Sequence, residues 1–370
     1  MRPGATRQPS GCLPPAAPPS EDLPANFPTG LGIPFIAMQQ LPQRISVIIP
    51  AKDQAPFIQD SLASLERQVA DLRRLEVLVI DDGSTDGTGA IAAQFHARLP
   101  DLQIIRNDTA RGLATARNQG LAASTAPHIV FLDGDDWFAP GHLERCSTEL
   151  ETLDVDFVRT DHIRVTGGTR ALHRTPQARR GIVLDPRESI LPDHTSSMVD
   201  YPYAWAGMFQ RRVAERGLLE FPAGLQTAED RAWIWKLHLN CDSYAISNAP
   251  GVMYRRGIST SLTQIFDSRQ LDFIQAYRLT FDIVAKDPQA SRFWPKAIRQ
   301  FLAICAHHLS RRGNMTAEVS AELARRIKEL LLELPAVELR TAFAALDGKR
   351  SALLRESMPV GKPLLERSHA

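Results

Sequence analysis

The sequence has only four cysteines in 370 residues, almost no net charge, no long apolar run and no glycine-rich dinucleotide fingerprint after its first strand. Each absence excludes something. Cys12, Cys146, Cys241 and Cys305 are scattered without the paired spacing of a zinc site or dithiol redox motif, so buried thiols in a reducing compartment are expected. The 43 Lys and Arg balance 42 Asp and Glu to a formal +1, which leaves no global field to attract nucleic acid or an anionic membrane. No nucleic-acid partner is expected. Nothing approaches the roughly 18–20 apolar residues that span a bilayer, and the N-terminus has no charged, hydrophobic, cleavable signal pattern. The expectation is a cytoplasmic protein, soluble or peripheral at the inner face of the membrane.

Residues 1–43 are rich in Pro, Gly, Ala and Ser with one short apolar stretch, Leu31–Met38. They read as a disordered leader, with Met38 a candidate for the true start. From residue 44 onward the chain is patterned. Ile45–Pro50, Leu75–Ile80, Leu102–Ile105 and Ile129–Leu132 are short apolar runs of the kind found in strands covered on both faces. Helix-like stretches around Ile58–Leu65, Ser84–His96 and Ala114–Ala122 alternate with them, which predicts a doubly wound α/β fold with a mainly parallel sheet. Phe157–Arg159 and Ala245–Tyr254 read as further strands, Thr166–Pro192 as loop, and 227–241 as a helix with two tryptophans. Beyond about 265 the reading is helical, with Leu323, Ile327, Leu330, Leu331 and Leu334 on one face.

Three acidic clusters stand at element ends. Asp133-Gly134-Asp135-Asp136 closes the fourth strand; carboxylates this close repel one another, and a divalent cation would offset them. The bland alternative is a solvated turn in which Asp135 or Asp136 caps the next helix. Asp81-Asp82-Gly83-Ser84-Thr85-Asp86-Gly87 closes the second strand, where an acidic side chain can accept from a nucleobase or ribose and Ser84 or Thr85 can cap a helix. Thr227-Ala228-Glu229-Asp230 precedes the tryptophan helix and imitates a capping box. It also suits a catalytic base fixed at a helix start. A phospho-acceptor receiver is excluded because its acidic pair belongs after the first strand, which ends here in Pro50-Ala51-Lys52-Asp53. A dinucleotide oxidoreductase lacks its Gly-x-Gly-x-x-Gly.

In order, Val47–Pro50, Val79–Asp86, Gly112–Asn118, Phe131–Asp136 and Glu229-Asp230 resemble the family 2 glycosyltransferases of GT-A fold, of the bacterial polysaccharide type. The likeness covers residues 44–262, including Phe221–Leu225 and Tyr254-Arg255 with Ser259 and Ser261, and leaves 263–370 as a C-terminal helical region. It implies an inverting enzyme that moves a sugar from a nucleotide-sugar, a UDP-sugar, to a hydroxyl of a glycan or glycoconjugate, with Mn²⁺ or Mg²⁺ as cofactor. Position by position, it implies Pro50 and Asp53 at the nucleobase, Asp81 or Asp82 on uracil or ribose, and Arg117 reaching the nucleotide. Asp133 would touch ribose or the metal, and Asp135 would be the direct metal ligand. Asp230 would be the catalytic base, Glu229 an acceptor-orienting neighbour, and Arg255 a closure over the diphosphate. Lys52-Asp53 replaces the family's usual Tyr-Asn, and Ala110 stands where many relatives have Asn, which leaves the nucleotide less defined than the chemistry.

The alternative is a catalytically inactive nucleotide-sugar-binding or scaffold protein on the same fold. Trp205, Trp233 and Trp235 offer faces for sugar stacking, with core packing the blander reading for at least two of them. Arg164, Arg170, Arg174, Arg179 and Arg180 read as a solvated basic loop that could draw an anionic acceptor. The leucine face of the C-terminal helices reads as core, with homo-oligomerisation and peripheral membrane contact as alternatives.

Overall fold

The computed structural model describes residues 43–249, 251–257 and 266–357. Leader residues 1–42, with Cys12 and Met38, and Ser259 and Ser261 lie outside them. In chain order the first half runs β1 (Ile45–Ala51), α1 (Ile58–Leu65), β2 (Leu75–Asp82), α2 (Thr88–Ala93), β3 (Leu102–Asn107), α3 (Leu113–Ala123), β4 (His128–Phe131), β5 (Trp137–Phe138) and α4 (His142–Thr152). Then come β6 (Phe157–Arg159), β7 (His162–Thr166), β8 (Thr169–His173), β9 (Gly207–Gln210), α5 (Arg211–Glu215), α6 (Glu229–Asn240), β10 (Tyr244–Ile246) and β11 (Val252–Arg256). The helices α7 (Asp272–Ala285), α8 (Ala290–Ser310), α9 (Ala317–Glu333), α10 (Ala336–Ala344) and α11 (Gly348–Ser357) follow.

A seven-stranded sheet has the order β10-β6-β9-β4-β1-β2-β3. All its pairings are parallel except those of β9, which is antiparallel to β4 and β6. Successive residues of the central strands feed two cores. Ile48, Leu78, Ile129 and Phe131 enter one, while Val47, Val77, Val79 and Val130 enter the other. Both faces are covered, so the strands are apolar at most positions rather than at alternate ones, with Ser46 and Glu76 buried as a hydrogen-bonded pair. The chain lays β2 and β3 on one side of β1 and returns to β4 on the other, so strand order reverses between β1 and β4. Their carboxyl ends open into a crevice, the usual ligand position in open α/β sheets.

A second sheet, β5-β11-β7-β8, was only partly legible in the sequence. The run Ala245–Tyr254, expected as one strand, divides: Tyr244–Ile246 pairs with β6, and Val252–Arg256 pairs with β5 and β7 in the other sheet. Pro250-Gly251 lies between them in sequence, a turn signal inside an apolar run. The expected loop 166–192 contains β8, paired with β7 in a hairpin that carries Arg164 and Arg170. Helix α2 is shorter than Ser84–His96 because Gly87, left-handed at φ 90°, starts it; neither Ser84 nor Thr85 does. Asp86 instead accepts from the Thr88 N–H at 3.0 Å.

Helix α3 lies close over the sheet at Gly120, where an added Cβ would come within 2.4 Å of Ile48 Cγ2. Ile48 is wholly buried and cannot swing aside. Gly120→Ala should therefore lower stability by about 1–3 kcal/mol, read as a lower urea midpoint at unchanged slope. An unchanged midpoint would reject this close approach.

The C-terminal helices share an apolar core with α6: Trp233, Trp235, Tyr277, Phe301, Leu323, Ile327, Leu330, Leu331 and Leu334 lie in one cluster. The expected leucine face is spent there. A polar bolt crosses the same layer. Lys296, wholly buried, donates to Thr195 O at 2.6 Å and pairs with Asp200, Gln300 donates to Asp200 at 2.7 Å, and Trp235 donates to Gln300 at 2.8 Å. Trp205, Trp233 and Trp235 are all buried, which removes the sugar-stacking option for each of them. Cys146, Cys241 and Cys305 are free and buried. Among the described residues no helix is long and apolar enough to cross a membrane.

Candidate active site

The acidic loop after β4 is built from beneath. Ser61 of α1 donates to the Gly134 carbonyl at 2.9 Å and also to that of Asp136. Asp136, buried, accepts from the Arg255 N–H at 2.7 Å, while its other carboxyl oxygen is buried without a partner. Asp135 and Asp136 therefore do not cap a helix; α4 begins only at His142. Burial, then the charge of Asp133, push the Asp135 carboxyl up to about 6. Burial pushes Asp136 well above the usual carboxylate range. The Arg255 side chain runs between Trp137 and Phe57, its guanidinium carbon 4.5 and 4.8 Å from the ring centres. It donates to the Asp135 carbonyl at 2.9 Å and to Asp60 at 2.8 Å.

Arg117, on α3 and 4% exposed, joins this loop to the start of α6. One terminal nitrogen donates to Asp133 at 2.8 Å and the other to Glu229 at 2.7 Å. Its guanidinium lies 5.0 Å from the centre of the Phe221 ring. Asn118 holds that ring in place through paired 2.8 Å hydrogen bonds to the Phe221 backbone. Burial pulls the arginine toward neutrality, but Asp133 and Glu229 outweigh it and keep it protonated. Glu229 is pushed upward by burial, with Arg117 opposing.

The start of α6 is not the capping box its sequence imitates. Ala228 occupies the N-cap in the left-handed region at φ 61°, and the Thr227 hydroxyl donates to Arg269 O at 2.7 Å instead. A non-glycine residue held there carries local strain of the kind found at functional sites. Its consequence is that the Asp230 carboxylate, 28% exposed, is left free of any capping duty. Burial raises its pKa, with Arg231 and Arg117 opposing.

The other wall is made by the ends of β1 and β2. Pro50 is buried at the end of β1. Asp53, at φ 51°, accepts from the Thr85 N–H at 2.8 Å, while its own N–H donates to Ser84. That backbone bond, then Lys52, holds the Asp53 carboxyl below its ordinary value. Asp81 is wholly buried, accepts from the Ser84 N–H at 3.0 Å and pairs with Arg106. Asp82 accepts from the Asn107 side chain at 2.8 Å and from the Arg111 and Gly112 N–H groups at 2.8 and 2.9 Å. These two carboxylates thus hold the loops that flank the crevice. The structure brings Arg117, Asp133, Glu229 and Asp230 together, sets Asp135, Asp136 and Arg255 beside them, and keeps Pro50, Asp53, Asp81 and Asp82 on the facing wall.

Sequence reading missed Ser61, Asp60, Arg106 and Trp137, all of which act by holding another site residue. No local pattern marks them. Among the described residues no three His, Cys, Asp or Glu side chains form a ready-made metal cage. The chemistry nevertheless fits a hard cation that arrives with a ligand. Mg²⁺ is commonly held by one or two carboxylates plus phosphate oxygens, and Asp133 and Asp135 stand half-exposed beside an unpartnered buried carboxyl oxygen on Asp136.

Residues 46–246 match the family model described as Glycosyl transferase family 2. An uncharacterized glycosyltransferase, EpsJ of Bacillus subtilis (strain 168), is 29% identical over 189 residues, 50% of this chain and 53% of EpsJ. Glycosyltransferase AglE of Haloferax volcanii is 37% identical over 129 residues, 34% of this chain and 42% of AglE. The chain thus spans about half the length of these curated relatives. In fold it is similar to S. aureus TarS 1-349, crystallised with UDP-GlcNAc, at a TM-score of 0.68 and 20% identity over 85% of this chain and 90% of that one. That likeness assigns the GT-A architecture.

Proposed function

Because the chain belongs to glycosyl transferase family 2, we propose that it transfers a sugar with inversion from a UDP-sugar to a hydroxyl of a glycan or glycoconjugate in cell-surface polysaccharide synthesis. One observation carries the reading: Arg117 gathers Asp133, just past the end of β4 where strand order reverses, and Glu229, the chain neighbour of Asp230, from the start of α6. TarS, which shares the fold, was crystallised with UDP-GlcNAc, and that supports UDP as the nucleotide. Residues 44–262 would form the catalytic domain and 263–370 a C-terminal helical region packed on α6. Three buried free thiols agree with a reducing, cytoplasmic setting.

Asp230 takes the proton of the acceptor hydroxyl as its oxygen attacks the anomeric carbon. The new carbon–oxygen bond forms as the bond to the diphosphate breaks, and that bonding pair leaves on the nucleoside diphosphate. An α-linked donor gives a β product. Glu229, fixed by Arg117, orients the acceptor hydroxyl, and Arg255 lies beside Asp135, within reach of the diphosphate. Pro50 and Asp53 lie on the nucleotide side, where the buried Asp81 and Asp82 hold the loops behind them. Asp135, with Asp133, would hold Mn²⁺ or Mg²⁺, whose charge steadies the departing diphosphate when bound. The upward push of burial on Asp230 moves a weak base toward the pH at which it works best.

Nucleotide binding tests the reading without knowledge of the acceptor. UDP with Mn²⁺ or Mg²⁺ should raise the melting temperature by a few degrees, as a ligand that binds only the native state does. UDP alone should not, and Asp135→Ala should abolish the metal-dependent shift. A full panel of nucleotides and nucleotide-sugars with no metal-dependent shift would remove the proposal.

A further inference from the structure

The second sheet carries a cationic, aromatic face that the arrangement above does not use. Register sets Tyr254 of β11 beside Arg164 of β7, Arg256 two residues beyond Tyr254, and His173 of β8 opposite His162. Side chains alternate along a strand, so Arg164, His173, Tyr254 and Arg256 share one face. Both arginines border the Tyr254 ring. Arg256 donates to its hydroxyl at 2.9 Å, with the guanidinium carbon 5.4 Å from the ring centre, and Arg164 stands one strand away. Half-buried Tyr203 extends the aromatic surface, its ring centre 5.9 Å from that of Tyr254 and 4.7 Å from that of the buried Trp205 stacked on it. Wholly buried His162 braces the two tyrosines from 5.0 and 5.7 Å.

This face adjoins the crevice. β4 and β6 are both antiparallel to β9, so their carboxyl ends lie on one edge of the main sheet; the acidic loop follows β4, and His162 follows β6 by three residues. Arg255, between Tyr254 and Arg256 in the chain, donates its N–H to Asp136. The positive charge of the face is unmatched. Among the described residues neither Arg164 nor Arg256 pairs with a carboxylate: Arg164 meets His173 Nε2 at 3.4 Å, and its own Nε is buried with no partner. Asp161, the only acidic residue in 157–183, is taken by Arg180 at 3.1 Å and by the Thr175 N–H at 2.8 Å. Burial holds the His162 and His173 imidazoles below their ordinary pKa, so the charge at neutral pH is that of the arginines. A half-buried guanidinium without a counter-charge is costly to hold, and an anionic ligand removes that cost.

We propose that this face is the acceptor subsite, and that the acceptor presents an anionic group, a phosphate or a carboxylate, to Arg164 and Arg256 while a sugar ring lies on Tyr203 and Tyr254, whose rings suit its apolar face. The subsite rests on the transferase reading. It is tested by titrating the full chain, with UDP and Mg²⁺ present, with glucose, glucose 6-phosphate and glucuronate, followed by ligand-observed NMR. At least one anionic sugar should bind about tenfold tighter than glucose, the usual worth of a hydrogen bond to a charged group. Its identity separates phosphate from carboxylate. Arg164→Gln and Arg256→Gln should each cut the preference severalfold and together erase it. Arg170→Gln removes the same charge from the opposite face of the hairpin, since Arg170 adjoins Ala171, the register partner of Arg164; it should leave the preference intact. UDP affinity should stay the same in every variant. Absent or equal binding of the three sugars, a preference that survives the double substitution, or an equal loss on Arg170→Gln overturns the subsite. A fall in UDP affinity in the double variant overturns it too, by assigning the face to the donor. Failure of the unmodified chain to bind UDP overturns the transferase reading instead, before any sugar is added.

Discussion

Asp230→Asn lowers turnover by about 10²–10⁴-fold, the usual contribution of a positioned general base, while metal-dependent UDP affinity stays nearly intact. The substitution keeps shape and hydrogen-bonding reach but cannot take a proton. Asp230 is suited to this test because it does not cap α6; the cations that act on it are Arg231, 3.9 Å away, and Arg117. UDP release from a UDP-sugar to water is a sufficient readout, since water can stand in for the acceptor hydroxyl. Unimpaired release would remove Asp230 from the base role. Loss of both release and UDP binding would mean that the variant had disturbed the crevice rather than the proton transfer.

How much of this was legible in sequence follows from which interactions are local. The strands β1, β2 and β4 were readable because both their faces are buried, so each appears as a largely apolar run, despite Ser46 in β1 and Glu76 in β2, and acidic turns follow β2 and β4. Those turns mark strand ends, and strand ends mark the crevice. β9 was invisible, four residues long and antiparallel between parallel neighbours. In the second sheet β5 has two residues, β8 lies in a stretch that reads as loop, and β11 hid inside a longer apolar run. The capping-box pattern at Thr227–Asp230 misled for a different reason. It specifies a local bond that Ala228, in the left-handed region, does not allow. Least legible was what each charged group holds: Arg117 meets Glu229 from 112 residues away and Asp81 meets Arg106 from 25. Residue types mark the chemistry, while the topology decides which charges cancel and which, like Asp230, remain available.

Arg117→Leu is expected to cost about 3–5 kcal/mol, the range for removing one partner of a buried ion pair, and to abolish transfer along with it. Two carboxylates, Asp133 and Glu229, lose the guanidinium that offsets them 2.8 and 2.7 Å away. The loss should depend on pH in a defined direction. Burial pushes the Glu229 carboxyl upward and Arg117 opposes it, so without the arginine its folded pKa rises further above the unfolded value of about 4.3. A group raised in this way favours the folded state below the unfolded pKa, and that contribution is lost as pH rises through the folded one. The unfolded states of the two proteins titrate alike, so the deficit of Arg117→Leu should stay level up to the folded Glu229 pKa of the unmodified chain, about 7, and grow above it toward alkaline pH. Urea denaturation of both proteins across this range measures it, and a deficit that does not vary with pH would rule out the charge account and leave lost packing on Phe221. A second change, Glu229→Gln, should restore part of the stability lost by Arg117→Leu at pH 8 without restoring transfer. Arg117→Lys should fall between, because an ammonium returns the charge but not the fork that spans both carboxylates. Together the variants separate the two duties of Arg117, cancelling charge and fixing the distance between β4 and α6 on which the position of Asp230 depends.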